Sequence, residues 1–177
     1  ETGNAAEAWR VYREQLQPGA CWGPQINVLT DCAAFLHRAA LAGETVEPSL
    51  WKDLSGYALK WFPGPGIAFA DMHSALAHAM AGDGEALARI SEGAKGAAAD
   101  VVAPLARAFG AYARGDWPSV IDGIRPLLAL WPVANGPELL TSTGAPSGIA
   151  EAFTNPVQRV REDFGTARLD QTFSSKD

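Results

Sequence analysis

The residues best suited to chemistry sit in Phe69 to Asp83, FADMHSALAHAMAGD, which places two of the chain's three histidines, His73 and His78, close to Asp71. An aspartate and a histidine that share a site can hold a metal ion or move a proton, so spacing decides what they can do. On a helix, Asp71 and His78 are seven residues apart and share a face. His73 points about 200° away from Asp71 and needs a second segment to join them. The zinc-protease pattern requires histidines four apart with a glutamate beside the first; here they are five apart, and Ser74 follows the first. No metal motif results, and neither metal nor cofactor is expected. A site across helices remains open if Asp31 and His37, from an earlier helix, come alongside Asp71 and His73. These four are the candidate ligand-binding residues. A structural reading competes with it: Asp71 lies near a helix start, where a carboxylate accepts from free N–H groups, and His73 is a core histidine tied to a neighbouring carbonyl or to Asp31.

Nucleophiles find no better setting. Ser55, Ser74 and Ser91 lack the Gly-x-Ser-x-Gly surround of an activated serine. Cys32 and His37 are five residues apart on one helix, which separates their directions by about 140°. Pro63 to Gly66, PGPG, has no Lys-Ser or Lys-Thr after it, so it is no phosphate loop. No catalytic residue is assigned. Among the six tryptophans, the helical phase of Trp51, Trp61 and Trp117 predicts packing between helices, whereas Trp22 and Trp131 border loops and are the candidate partner-binding residues.

The elements that must position these side chains are helices. The 177 residues suit one domain, and 47% hydrophobic against 19% charged residues describes a chain that folds. A net charge of −6, with no basic run, disfavours nucleic acid and anionic membrane partners. No apolar run reaches the length of a bilayer span. Cys21 and Cys32, eleven apart, fit neither a Cys-x-x-Cys motif nor a disulfide framework and read as small buried hydrophobes, so a cytoplasmic setting is expected.

Ala-rich amphipathic runs stop at Gly43-Glu44, Gly82-Asp83 and Gly115-Asp116, the last two 33 residues apart, and each leads into a second helix. Glycine closes a helix in the left-handed conformation, and the acidic residue can cap the next helix at its positive pole. Three antiparallel hairpins follow. In the third, Pro118 opens a helix that closes near Pro132, with Val120, Ile121, Ile124, Leu127 and Leu128 as its stripe and a kink at Pro126. In the first, Leu50, Leu54, Tyr57, Ala58 and Trp61 form one face of the second helix; in the second, Leu87 and Ile90 anchor a shorter one. No sustained alternation marks a strand. The expected fold is all-α: an α-solenoid of about three hairpins over residues 1–134, then an irregular tail over 135–177. In that tail a loop precedes weak helices at IAEAF and VQRVREDFGTARL, and Ser174 onward frays.

The segment Val101 to Asn135 resembles a tetratricopeptide repeat unit, with Gly115-Asp116-Trp117 at the turn, Pro132 after the second helix and a length near 34 residues. More broadly, Pro24 to Pro132 is similar to the C-terminal half of the tetratricopeptide repeat protein 38 family. The stretches that carry the likeness are NVLTDCAAFLHRAALAG, GIAFADMHSALAHAMAGD and PLARAFGAYARGDWPSVIDGIRPL. Asp31 matches the family's Leu-Asn-Asp segment, with Thr30 in place of its Asn, and Asp71-Met72-His73 matches its Asp-Val-His segment. The family is more than twice as long, so the helices before the first hairpin are expected to be absent, and its Gly-Gly-Ser-His-Ala-Gln-Arg-Asp stretch has no counterpart after Pro132. The resemblance implies an α-solenoid and no particular activity.

These readings predict a helical-repeat scaffold that binds a protein or peptide on the concave face of its first helices, without catalysis. The alternative is a small-molecule enzyme or binding protein with Asp31, His37, Asp71 and His73 lining a pocket between the first two hairpins. A third reading is a homo-oligomer in which a second copy supplies missing helices.

Overall fold

The computed structural model describes residues 4–96, 98–130 and 135–151. The chain divides into two compact units, Glu1–Trp131 and Pro132–Asp177.

The first unit is built from helices. Helix α1 (Ala5–Val11) runs into a π-turn at Tyr12–Leu16; α2 (Gln25–Leu41), α3 (Pro48–Trp61), α4 (Ala68–Ala81), α5 (Gly84–Gly93), α6 (Ala99–Ala113) and α7 (Trp117–Ile124) follow, and a 3-10 segment, Arg125–Leu130, continues α7. A helix therefore does precede the first hairpin, contrary to the expectation drawn from the resemblance. Asn4 caps it, its Oδ1 accepting from the Glu7 N–H at 3.1 Å.

Three turns join α2 to α3, α4 to α5 and α6 to α7, and they close in the same way. Gly43, Gly82 and Gly115 have φ of 88°, 75° and 70°, a region open to glycine at little cost. The residue after each glycine donates its N–H back to the carbonyl five residues earlier: Glu44 to Ala39 at 3.0 Å, Asp83 to His78 at 2.9 Å, Asp116 to Ala111 at 3.0 Å. This bond satisfies a carbonyl that the ending helix leaves free. The turns differ in what comes next. Asp83 and Asp116 go on to cap α5 and α7, with Oδ1 accepting from Ala86 N at 3.0 Å and from Ser119 N at 3.2 Å. Glu44 does not cap α3, because Thr45, Val46 and Glu47 intervene. Its carboxylate instead accepts from Trp9 Nε1 at 3.3 Å.

Packing is sequential. Helix α4 lies against α2 and α3, and α6 lies against α4 and α5. One core cluster holds Tyr12, Leu29, Cys32, Leu36, Trp51 and Leu54, and a second holds Ala75, Ile90, Val102 and Ala106; Phe109 packs against both. The buried stripe of α3 is Trp51, Leu54, Ser55 and Ala58, so the predicted face is rotated, and Leu50 and Tyr57 lie only half-buried. Two of the three tryptophans expected to pack do not: Trp51 is buried, but Trp61 at the edge of the stripe is 44% exposed and Trp117 is 57% exposed. Trp117 begins α7, where its ring turns back against Tyr112 rather than into a helix interface. The α-helix expected to run to near Pro132 with a kink at Pro126 instead ends at Ile124, and a 3-10 segment carries Pro126, a residue whose missing N–H interrupts α-helical hydrogen bonding. The predicted stripe of this segment is not buried: α7 contains no buried residue, and Ile121 and Leu128 are exposed.

In the second unit the expected loop is instead a β-hairpin. Strand β1 (Glu138–Leu140) pairs antiparallel with β2 (Pro146–Ala150). Thr141 closes the connection, donating its N–H to Ala145 O at 2.8 Å and accepting the Ala145 N–H on Oγ1 at 3.1 Å, with Gly144 at φ 79°. Pro146 opens its strand, a position where its missing N–H is tolerated. Ile149 and Ala150, the start of the predicted IAEAF helix, are part of this strand. Glu151, next in that predicted helix, follows the strand and donates its N–H to the Pro137 carbonyl at 3.1 Å; Ala152 and Phe153, the VQRVREDFGTARL helix, the frayed end and Trp131 lie outside the described residues. Among the described residues, no helix is long and apolar enough to cross a membrane.

Candidate functional site

The Ala-rich helix α4 has small side chains that let α2, α3 and α6 approach it, and this buries most of its length. Its polar residues must then find partners inside the protein. His78, 1% exposed, shares a hydrogen bond of 2.8 Å between Nδ1 and Oγ of Ser55, which is 4% exposed. Burial pushes the imidazole pKa down to about 4, an effect larger than the opposing influence of Asp83 and the like-signed one of Arg89. A serine bonded to a neutral histidine resembles a nucleophile and its base, but neither atom is open to a substrate. One turn before His78, Ser74 Oγ is buried without a hydrogen-bond partner.

Asp71 is also buried. Its Oδ2 accepts from the Gly66 N–H at 3.0 Å, so the carboxylate reaches back from the first turn of α4 and fastens the preceding PGPG bend. Burial raises its pKa, and the backbone donors of Gly66 and Ile67 oppose that rise. His73, on another side of α4, donates Nδ1–H to the Phe69 carbonyl at 2.7 Å, and its ring lies edge-on to Phe69 at 4.7 Å.

His37 belongs to a different cluster. Its ring meets Tyr112 of α6 edge-on at 5.4 Å, and Tyr112 meets Trp117 at 5.6 Å. Burial lowers its pKa, and its Nδ1 is enclosed without a hydrogen-bond partner. Asp31 is exposed and lines an open groove of about 820 Å³ between α1 and α2, together with Trp9, Phe35 and Arg38. The four candidate residues are thus held in separate places: Asp31 in the groove, His37 against Tyr112, Asp71 on Gly66, His73 on Phe69. Among the described residues, no three His, Cys, Asp or Glu side chains gather as metal ligands.

Trp22 stands 99% exposed beside a smaller groove of about 430 Å³ lined by Tyr57, Lys60 and Trp61. The Lys60 ammonium sits 4.9 Å from the Trp61 ring centroid. Cys32 is fully buried, its thiol pushed up to about 12 by burial first and donating to the Leu16 carbonyl at 3.0 Å; Cys21 is half-buried, and both are free thiols.

Two groupings escaped the reading of spacing. Ser55 and His78 are 23 residues apart on different helices, and only the shared face of Asp71 and His78 hinted that His78 points inward. The His37–Tyr112–Trp117 set joins the first and third hairpins, a relation no local pattern encodes. No protein-family model, no curated protein and no solved structure matches this chain.

Proposed function

We propose that the chain is a tetratricopeptide-like solenoid scaffold, akin to the tetratricopeptide repeat protein 38 family, that binds a protein or peptide on the concave face of α2, α4 and α6 and performs no catalysis of its own. The observation that carries the reading is the His37–Tyr112 contact. Helix α4 lies between α2 and α6, and packed helix axes are about 8–10 Å apart, so a flat layer would hold α2 and α6 about 16–20 Å from each other. With α4 in the way, a bend of the layer toward that face would bring the two rings together over it. The equivalent turns at Gly43, Gly82 and Gly115 support the repeat, since each sets the same reversal between hairpin partners. Exposed Trp117, backed by Tyr112 and His37, supplies the large rigid ring that anchors partners at interfaces.

The small-molecule reading is the weaker one, because Asp31, His37, Asp71 and His73 are held in separate places, and Asp71 and His73 already bond to backbone. A test of the scaffold reading is selection of binders from a random peptide library, followed by affinity measurement on Trp117→Ala and Tyr112→Ala. Loss of about tenfold or more in either variant, with far-UV circular dichroism unchanged, supports the concave face. Binders indifferent to both variants refute it.

A further inference from the structure

We infer that the groove bordered by Trp22, Tyr57 and Trp61 is a docking site for a proline-rich segment of another protein, bound as a polyproline II helix and carrying an acidic residue among its prolines. The lining of this groove includes none of His37, Tyr112 or Trp117, so the inference stands apart from the concave-face reading.

The loop before α2 holds Trp22 in water at a fixed position. The N–H groups of Ala20 and Cys21 both donate to the Gln17 carbonyl, at 3.0 and 3.2 Å, with Gly19 at φ 94° inside that turn. On the other side of Trp22 the Gly23 N–H donates to Cys21 Sγ at 3.4 Å, and Pro24 stands at the N-cap of α2. Cys21 packs against the core, yet the indole beside it is 99% exposed. Tyr57 and Trp61, one turn apart on α3, line the same groove of about 430 Å³, their rings 6.3 Å apart and inclined by 49°. Three aromatic rings gathered at one groove, two of them exposed, mark an interaction surface.

The polar groups of the groove decide what it takes. The indole N–H groups of Trp22 and Trp61 and the Lys60 ammonium can only donate, and the Tyr57 hydroxyl and the Gln25 amide can donate too. None of the five has a hydrogen-bond or ion-pair partner among the described residues. Flat rings and free donors suit a chain of flat rings and free acceptors. Proline is that chain: it has no N–H, and in a polyproline II helix every carbonyl stays unbonded and solvated, so the segment brings acceptors without donors and is ordered before it binds. An ordinary extended peptide would bring N–H groups that these donors leave unsatisfied. Lys60, its ammonium 4.9 Å from the Trp61 ring centroid and paired with no carboxylate, sets a positive charge beside the ring, which an acidic residue next to proline complements. A second copy of this chain is a poor source. Its Pro63 to Gly66 bend is fastened by Asp71, and Pro65 lies so close to Gly93 that a Cβ there would stand 2.9 Å from Pro65 Cγ.

The test uses a fluorescein-labelled peptide of about ten prolines with one glutamate at the middle, a control with lysine in place of the glutamate, and a second control with serine in place of every proline. Fluorescence anisotropy on the whole chain is expected to show saturable binding of the first peptide. The lysine peptide should bind about two- to fivefold more weakly, the range of an exposed charge pair, and the serine peptide about tenfold more weakly or worse. Trp22→Ala, at an exposed position, is expected to weaken the first peptide by about tenfold or more with far-UV circular dichroism unchanged. Lys60→Glu should reverse the preference for glutamate over lysine, and Trp117→Ala should leave all three affinities as they are. No binding, equal binding of the serine peptide, or indifference to Trp22→Ala would overturn the inference, and no reversal in Lys60→Glu would overturn its acidic part. Loss of binding in Trp117→Ala would assign the peptide to the concave face, against the inference. Self-association abolished by Trp22→Ala would make the occupant a second copy, likewise against it.

Discussion

Acidification offers a sharp test of the packing around α4, because the Ser55–His78 pair is sealed inside it. Burial holds His78 at a pKa of about 4, against the ordinary value of 6.5 that the unfolded chain restores. The unfolded state therefore binds a proton first as pH falls, and stability drains away between about pH 6.5 and about pH 4, levelling off below. A gap of about 2.5 pKa units corresponds to about 3 kcal/mol, a large part of the total for a domain of this size. His37, also lowered by burial, acts in the same direction, while Asp71, raised by burial, acts in the opposite one. A paired comparison isolates His78. The variant Ser55→Ala/His78→Leu replaces both hydrogen-bonding groups by apolar ones, which is close to neutral at neutral pH. Urea titrations of both proteins from about pH 7 to about pH 4 should show the wild type losing about 3 kcal/mol more than the variant. Parallel losses, differing by less than about 0.5 kcal/mol, would mean that His78 is not buried as described.

Other perturbations probe the remaining links. Leu54, fully buried on α3 in the core cluster that also holds residues of α2 and α4, should cost about 2–5 kcal/mol when replaced by alanine, read from the urea midpoint at constant m-value. Asp83→Ala removes the cap of α5 and should cost about 1 kcal/mol, whereas Glu44→Ala, at the equivalent turn without a cap, should leave the helix content of α3 unchanged; amide exchange at the two helix starts separates them. Asp71→Ala leaves the Gly66 N–H without its acceptor and should cost about 1–3 kcal/mol, with Asp71→Asn recovering part of that loss in the same assay.

What the sequence made legible was what local rules decide. Glycine followed by an acidic residue marked each hairpin turn, because both the left-handed closure and the capping are set within a few residues. Pro126 was expected to kink a helix that in fact ends at Ile124 and continues as a 3-10 segment. The β-hairpin escaped, since Glu138–Leu140 and Pro146–Ala150 are too short for alternation to register, and the Thr141–Ala145 closure depends on a threonine hydroxyl that composition does not single out. Trp61 and Trp117 were misplaced because phase within a helix says which residues share a face but not which face a neighbour covers. The candidate residues fared similarly. Their types were visible, yet Asp71 and His73 found partners five and four residues away, and His37 meets Tyr112 of a helix that is not its sequence neighbour.

That contact is where the scaffold account meets its most direct test. A nuclear Overhauser spectrum of the isotopically labelled chain should show cross-peaks between the ring protons of His37 and Tyr112, whose centroids are 5.4 Å apart, beside those between Tyr112 and Trp117. Their presence in solution is the result the scaffold account predicts, with side chains of α2 and α6 meeting over α4. Cross-peaks from Tyr112 to Trp117 alone, with His37 silent, would mean that the layer does not bend there and would contradict the account.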